Sequence, residues 1–333
     1  MADRPVIRDL VPVERVWARL DLVERRLYEA SASEDPFLTR IAQHLIGAGG
    51  KRYRPLLAQV AAELGDHDGD RPVEAGVAVE LVHLGSLYHD DVIDEADARR
   101  GAVSVNANWD NTIAILAGDF LLARASEIAA PLGTEAVRLL AQTYAALCEG
   151  QILELQLGDD LDQGTDRYFR VVALKTASLI RTAARLGAMA AGAPDDAIEA
   201  ASAWAFEVGM VFQLTDDVLD LVATEEFLGK PAGSDIGEGT YTLPVLLALE
   251  GPDGAEVRAL LEGGHPYDDE TVARVLEIVR SGDHVARALA EVDRRMRAAS
   301  DAIDALPSTD ITKVFKRLGD YLVDRVDQAR ASA

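Results

Sequence analysis

Apolar residues recur at the three- and four-residue spacing of amphipathic helices along most of the chain. No run alternates as a β-strand would, and glycine- and proline-rich breaks separate the apolar blocks. We therefore expect an all-α protein. No linker divides it, so 1–333 should form one domain, with an exposed excursion at 251–269. The pattern predicts helices over 13–30, 54–64, 72–94, 111–130, 134–157, 165–190 and 195–222, with shorter helices after them.

The composition argues against several classes of function and partner. The chain is 49% hydrophobic and 27% charged, which is typical of a globular protein. One cysteine, Cys148, can form neither an internal disulfide nor a cysteine zinc site, which fits a reducing compartment, and we expect a cytoplasmic protein. No apolar run approaches the ~20 residues that span a bilayer. The net charge of −24 argues against nucleic acid and against anionic membrane surfaces as partners.

Lysine is rare, at five of 33 basic residues. Lys51, Lys175 and Lys230 lie in the distinctive segments GGKRYRP, ALKTAS and LGKPAGSD. A lysine kept in a chain that otherwise uses arginine offers a compact ammonium, which binds phosphate as a point charge. The alternative is chance placement on a solvated surface.

Two apolar helical segments end in the same acidic motif, DDxxD. VELVHLGSLYHDDVID ends at Asp94, and FEVGMVFQLTDDVLD ends at Asp220. Because the first and fifth positions lie about 40° apart around a helix, Asp90 and Asp94 share a face, as do Asp216 and Asp220. Mg²⁺ relieves the repulsion within such pairs and is commonly shared between carboxylates and phosphates. We infer two acidic clusters facing each other across a bundle and holding a diphosphate; for a lone motif, an exposed acidic helix end is the alternative.

Five motifs in order give the sequence a family resemblance over roughly residues 40–250. They are GGKRYRP, HDDVIDEADARRG, the Lys175–Thr176 pair, FQLTDDVLD and GKPAGSDIGEGTYTLP. Together they resemble the trans-isoprenyl (polyprenyl) diphosphate synthases. The resemblance implies the isoprenoid synthase fold, a bundle of mostly antiparallel helices around a deep central cavity, assembled as a homodimer. It also implies a Mg²⁺-dependent prenyltransferase with roughly three ions per active site.

The reaction implied by the resemblance joins isopentenyl diphosphate to an allylic diphosphate, head to tail and in the E configuration. The allylic substrate ionises, the double bond of isopentenyl diphosphate attacks the cation, and the departing diphosphate accepts the proton. Mg²⁺, lysine and arginine would stabilise the negative charge that develops on the leaving group.

The resemblance also assigns the site residues. The metal ligands would be Asp90, Asp94 and Asp216, and Asp91, Asp217 and Asp220 would complete the catalytic clusters. The allylic diphosphate would be held by Arg99, Lys175 and Lys230, and isopentenyl diphosphate, without metal, by Lys51, Arg54, His83 and Arg100. Thr176 and Gln213 would place neutral oxygens beside the cation.

Some of these assignments have alternatives. Arg99 and Arg100 could balance neighbouring acids on a solvated segment, and His83 could be an ordinary packed histidine. The sequence also departs from the family at Thr240, where EGTYTLP replaces the common EGKxTLP. The missing lysine usually touches the allylic diphosphate. Because the other charged motif residues are intact, we expect tuned binding and not inactivation.

Product length depends on the helix before the first motif. Gly85 and Ser86, five and four positions before Asp90, are small where relatives with fifteen-carbon products carry bulky aromatics. A glycine within a helix costs about 1 kcal/mol relative to alanine, which suggests a packing or functional reason. We expect an open path and a long product of about C30 to C50, such as a quinone side chain. Close helix contact also selects glycine, and geranylgeranyl or another short-chain diphosphate is the alternative product.

Other functions fit less well. A terpene cyclase carries an Asn/Ser/Glu second metal motif where this chain has DDVLD, and it needs no GGKRYRP site. A non-catalytic subunit of a heteromeric synthase tends to lose the aspartates. A di-iron bundle needs two Glu-x-x-His motifs, and only Glu80–His83 provides one. An HD-type phosphohydrolase needs further histidines beyond His89.

Overall fold

Helices dominate the protein. A computed structural model describes residues 4–66, 69–224 and 231–332. The helices are α1 Arg4–Leu10, α2 Glu14–Ala30, α3 Pro36–Ala42, α4 His44–Gly47, α5 Tyr53–Ala62, α6 Arg71–Ile93, α7 Val105–Asn108, α8 Asn111–Ala129, α9 Thr134–Leu157, α10 Gly164–Val172, α11 Ser178–Ala190, α12 Asp195–Val222, α13 Ser234–Gly237, α14 Leu243–Leu249, α15 Gly254–Leu261, α16 Asp269–Ser281, α17 His284–Asp304 and α18 Asp310–Ser332. A two-stranded antiparallel hairpin, β1 Ala98–Arg99 and β2 Ala102–Val103, follows α6.

The predicted all-α class is confirmed. The long helices end close to where the sequence pattern places them. Proline or glycine follows the ends of α8 and α9, whereas α6 and α12 end at Ile93 and Val222 without either residue. Two details differ. A π-helical turn, Ala173–Ala177, interrupts the helix predicted over 165–190. The predicted excursion at 251–269 contains α15, which buries Val257 and Leu261.

The chain divides into two compact units. Unit 1 comprises Met1–Leu147, Leu179–Ala203 and Ala305–Phe315, and unit 2 comprises Cys148–Ser178, Trp204–Asp304 and Lys316–Ala333. In unit 1, α6 packs against α2, α5 and α8. In unit 2, α14 contacts α10, α15, α16 and α17. The single domain over 1–333 stays a prediction. Within the described ranges, no helix combines the length and hydropathy that a membrane span requires.

Helix α6 is the central helix of unit 1. It is apolar around most of its circumference, as a helix packed on several sides must be. Its N-terminal part is buried against α5 at Gly76, where a Cβ atom would lie 2.7 Å from Nε2 of the Gln59 side chain. The buried stem fixes the direction of the acidic motif at its C-terminal end.

Candidate active site

The first aspartate motif ends α6 in unit 1. Asp90 is half-buried, the Asp94 side chain is 52% exposed, and the Asp94 amide donates to the Asp90 carbonyl oxygen (2.8 Å). Asp91 turns inward and is fully buried, with Oδ1 accepting from Arg99 Nε at 2.6 Å. The motif therefore presents Asp90 and Asp94 as accessible carboxylates and uses Asp91 to fix Arg99. Burial raises the pKa of Asp91, although Arg99 opposes that shift.

Helix polarity makes both acidic motifs electrostatically costly. The first motif occupies the last turn of α6, and Asp216, Asp217 and Asp220 occupy the last two turns of α12 in unit 2. Helix C-termini carry partial negative charge, so each exposed carboxylate there costs about 0.3–1 kcal/mol. Such placement is favourable only where cations offset it. Each motif thus has the charge expected of a cation-binding segment.

A hydrogen-bond chain in unit 2 surrounds the second motif. Thr176 Oγ1 donates to Gln213 Oε1 (3.0 Å), and Gln213 Nε2 donates to Asp217 Oδ1 (2.8 Å). Tyr168 Oη donates a very short hydrogen bond to Asp217 Oδ2. Burial raises the pKa of Asp217 to about 8, although both donors favour its charged form. Asp217 therefore orients Gln213 and Thr176, while Asp216 is only half-buried.

Asp220, the last residue of the second motif, is hydrogen-bonded to the loop that follows α12. Its side chain is buried, and its Oδ2 accepts from the amide of Asp235 at 3.4 Å. Its carbonyl oxygen accepts from the amide of Gly233 at 2.9 Å. Gly233 and Asp235, in the described part of the GKPAGSD segment, are thus anchored to the second motif. Lys230, predicted to hold the allylic diphosphate, lies outside the described residues.

The π-helical turn carries Lys175 and Thr176. It approaches α9 at Gly150, where a Cβ atom would lie 2.9 Å from both Leu174 Cβ and the Lys175 amide nitrogen. Lys175 Nζ forms a short ion pair with Glu154 of α9, and both side chains are about one-third exposed. π-Turns often mark functional sites because they shift side chains out of helical register. Here the turn orients the accessible ammonium of Lys175. A diphosphate could replace Glu154 as its ion-pair partner.

The GGKRYRP segment forms a cationic cluster with α6 and the hairpin of unit 1. Lys51 is exposed, and Arg54 lies 3.1 Å (Nη1) from His83 Nε2. Burial, together with the nearby arginines, holds the pKa of His83 well below its ordinary value, so the ring is neutral and accepts from Arg54. Arg100 donates to the carbonyl oxygens of Gly49, at short distance, and Leu45, at 3.4 Å. Four predicted ligands of isopentenyl diphosphate thus lie in one unit, with Arg54, His83 and Arg100 in place beside the loop of Lys51.

Comparison with a family model and with known proteins shows the family of the chain. A family model described as polyprenyl synthetase matches residues 35–279. The chain belongs to the polyprenyl synthetase family. It is 41% identical over 321 residues to nonaprenyl diphosphate synthase of Mycobacterium tuberculosis, covering 95% of each chain. The predicted family and the predicted enzyme class, a polyprenyl diphosphate synthase that transfers prenyl groups, are confirmed.

Solved structures of the family share the fold. The decaprenyl diphosphate synthase of Rhodobacter capsulatus superposes with a TM-score of 0.89 at 31% identity, covering 96% of this chain and 99% of that one. The geranylgeranyl pyrophosphate synthase of Corynebacterium glutamicum, complexed with calcium and isoprenyl diphosphate, gives 0.84 at 41% identity, covering 94% and 96%. Relatives with long and short products are therefore both similar to this polyprenyl synthetase.

The carboxylates of this synthetase suit Mg²⁺ as a shared ion. Within the residues that the structure describes, no three His, Cys, Asp or Glu side chains form a metal-binding group. Asp90 is half-buried and Asp94 exposed in the first motif, and Asp216 is half-buried in the second. Mg²⁺ is usually bound by one or two carboxylates plus water and substrate phosphates. The oxygen donors and their number fit that mode of binding.

Two residues that contact the site of the synthetase lie outside the five motifs. Glu154 pairs with Lys175, and Tyr168 donates to Asp217, yet neither lies in the five motifs. Spacing gives a partial signal for Tyr168, which lies seven residues, or two helical turns, before Lys175. Thr240, in place of the usual lysine, is exposed. Next to it, Tyr241 Oη contacts Tyr267 Oη at 2.6 Å, and a Cβ atom on Gly239 would lie 2.5 Å from His265 Nδ1.

Gly85 faces a neighbouring helix of the synthetase. A Cβ atom there would lie 3.0 Å from the Gly118 carbonyl oxygen and 3.1 Å from Leu122 Cγ, both on α8. Close packing of α6 on α8 thus accounts for this glycine, which was the alternative left open by the sequence. Ser86 is half-buried and donates to the His83 carbonyl oxygen at 2.9 Å.

Gly85 and Ser86 should therefore respond differently to larger residues. We expect Gly85→Ala to lower the free energy of unfolding by about 1–3 kcal/mol, because the α6–α8 contact has no room for it. Ser86→Phe should cost less and should shorten the product if this position lines its path. Denaturant unfolding and product sizing on both variants provide the check. An unchanged unfolding curve for Gly85→Ala would contradict the packing account.

Tyr168→Phe tests the hydrogen-bond chain at Asp217. Losing the donor to a buried carboxyl should lower the free energy of unfolding by about 1–3 kcal/mol. Turnover should fall as well, because Asp217 then orients Gln213 less firmly. Tyr28→Phe is the matched control, since Tyr28 is 39% exposed. Equal unfolding midpoints for the two variants, measured in denaturant, would argue against this role for Tyr168.

Proposed function

We propose that this synthetase condenses isopentenyl diphosphate with an allylic diphosphate, head to tail and in the E configuration. The observation that carries the proposal is the pair of acidic motifs near the C-terminal ends of α6 and α12, in which Asp90 and Asp216 are half-buried and Asp94 is exposed. Carboxylates at helix C-termini need cations, and a substrate diphosphate with Mg²⁺ supplies the matching charge. The cationic cluster around Arg54 then serves a second diphosphate.

Different residues bind the two substrates. Lys51, Arg54 and Arg100 bind isopentenyl diphosphate, with neutral His83 orienting Arg54. Arg99, held by Asp91, and Lys175 bind the allylic diphosphate, and we assign Lys230 to the same group. Asp90, Asp94 and Asp216 would hold Mg²⁺, roughly three ions in all, which neutralises the diphosphate and so favours its departure.

The allylic cation is stabilised by neutral oxygens and not by carboxylates. Gln213 and Thr176 form the hydrogen-bonded pair that would line this space, and Asp217 fixes their orientation. The double bond of isopentenyl diphosphate attacks the cation, and the departing diphosphate accepts the proton released afterwards. In this scheme the protein positions charges that stabilise the transition state and supplies no general base of its own.

We also propose a long product of about C30 to C50, with geranylgeranyl diphosphate as the alternative. The nonaprenyl and decaprenyl relatives support the long product, and the geranylgeranyl relative from C. glutamicum supports the alternative. Because α8 explains Gly85, the case within this chain now depends on Ser86 and on residues of other helices.

A product assay tests these proposals. Purified protein would receive Mg²⁺, labelled isopentenyl diphosphate and, in separate reactions, dimethylallyl, geranyl, farnesyl and geranylgeranyl diphosphates. We expect a ladder of products that ends near C30 to C50. A stop at C20 would keep the reaction and overturn the product length. No elongation from any primer would favour a non-catalytic subunit.

We further propose a cytoplasmic homodimer. Ile115 and Leu116 of α8 are 44% and 57% exposed, and Ile152 and Leu155 of α9 are 57% and 61% exposed. Large apolar side chains grouped on a helix are typical of surfaces that another subunit covers. The single thiol, Cys148, suits a reducing compartment. Light scattering should give twice the 35.8 kDa chain mass, and Ile152→Glu should reduce it.

A further inference from the structure

Arg52, between the proposed ligands Lys51 and Arg54, is buried and bonded within unit 1. Its Nε and Nη2 donate to the two carboxylate oxygens of Glu24 at 2.7 and 2.9 Å. Nη1 donates to Glu80 at 3.2 Å and to the Gly49 carbonyl oxygen at 3.3 Å, and Nη2 also donates to the Ile46 carbonyl oxygen at 3.1 Å. All five N–H groups thus have acceptors, so the guanidinium has no donor left for a substrate.

The loop before Arg52 has a backbone that its sequence alone would not hold. Gly49 and Gly50 have φ of 88° and 150°, and Arg52 itself adopts the left-handed conformation with φ of 50°. A non-glycine residue with this φ persists only where its surroundings fix it. A Cβ atom on Gly50 would lie 2.7 Å from Arg100 Nη1 and 3.0 Å from Arg52 Nη1. Two guanidinium groups therefore hold the loop from one side.

Glu80 links this network to the substrate side of α6. It is buried, and it lies one helical turn before His83, which accepts from Arg54. Arg52 therefore joins α2 through Glu24, α6 through Glu80 and the loop that carries Lys51. A lysine at position 52 could not satisfy these acceptors, because an ammonium lacks the planar fork.

We propose that the network Glu24–Arg52–Glu80 positions Lys51 and Arg54 for isopentenyl diphosphate, with Arg52 as a positioning residue that does not touch substrate. This inference rests on the proposed function. It predicts a selective effect. Loosening the network should weaken isopentenyl diphosphate binding and leave the allylic diphosphate unaffected, because Lys175 is held separately by Glu154.

Arg52→Lys is the principal test, and Glu24→Gln is a milder variant that keeps the bulk of the side chain. We expect Arg52→Lys to raise both the Kd of isopentenyl diphosphate, titrated by calorimetry without metal, and its KM by about 10- to 100-fold. The KM of farnesyl diphosphate should stay within about twofold. Glu24→Gln should shift the same Kd in the same direction by a smaller factor.

Arg19→Lys is the matched control. Arg19 is also a buried arginine of unit 1, paired with Glu63 and with the Gln59 carbonyl oxygen, and it lies outside the loop. It should lower the melting temperature and leave both KM values unchanged. An unchanged Kd in Arg52→Lys and Glu24→Gln, or an equal rise in both KM values, would overturn the positioning role. Wild-type protein that neither binds nor consumes isopentenyl diphosphate would instead overturn the proposed function.

Discussion

Replacing Asp90 or Asp216 by asparagine is expected to slow condensation by about 10²- to 10³-fold, because each change removes a carboxylate ligand of the Mg²⁺ that would neutralise the departing diphosphate. The same variants should unfold no more easily without Mg²⁺. Asp90 lies in the last turn of α6, and losing its carboxylate there should stabilise the helix by about 0.3–1 kcal/mol. Steady-state rates and thermal unfolding, with and without Mg²⁺, measure both effects.

The control for the aspartate variants is Asp301→Asn, an exposed carboxylate of α17 outside both motifs. It should retain full turnover. Added Mg²⁺ and diphosphate should stabilise the wild type and this control but stabilise Asp90→Asn less. Full turnover in Asp90→Asn or Asp216→Asn would remove the basis of the proposed mechanism.

Lys175→Met is expected to raise the KM of the allylic substrate by about 10- to 100-fold, the range for a lost hydrogen bond to a charged group. The KM of isopentenyl diphosphate should change less, because its proposed ligands, on the GGKRYRP segment, α6 and the hairpin, all belong to unit 1, whereas Lys175 belongs to unit 2. The variant also leaves Glu154 without its cation, so turnover should fall further through repulsion of the diphosphate. Steady-state kinetics with each substrate varied in turn separate the two effects.

Lys316→Met provides the matched comparison. Lys316 pairs with Asp304 at 2.5 Å, so it is a lysine–carboxylate pair of unit 2 outside the motifs. Surface pairs of this kind contribute about 0–1 kcal/mol, and we expect no change in either KM. Equal effects of Lys175→Met and Lys316→Met would show that Lys175 has no special part in binding.

The sequence predicts the helices of this protein well for a local reason. In α9 the apolar period runs between Gly133 and Gly158, and in α12 it begins directly after Pro194, so the pattern alone contains these boundaries. The π-turn at Lys175 is different. It depends on the close approach of the backbone to Gly150, a contact between positions far apart in sequence. Periodicity is insensitive to such contacts and predicts an unbroken helix.

The same distinction applies to the site. Paired aspartates at helix ends are visible in the sequence because their spacing defines a shared face. The reason for Gly85 is not visible, because it depends on Gly118 of α8. The partners of Arg52 are equally remote, since Glu24 and Glu80 each lie 28 residues away. Motifs therefore identify ligands, whereas the residues that orient them emerge only from the fold.

The most direct test of the account counts diphosphate released from labelled substrates with Mg²⁺ present. We expect one diphosphate for each isopentenyl diphosphate consumed, and none when either substrate is given alone. Asp90→Asn should abolish most of the release, and Asp301→Asn should not. Rapid release from the allylic diphosphate alone, with a cyclised hydrocarbon as product, would contradict the account, because it would show a cyclase and not a condensing enzyme.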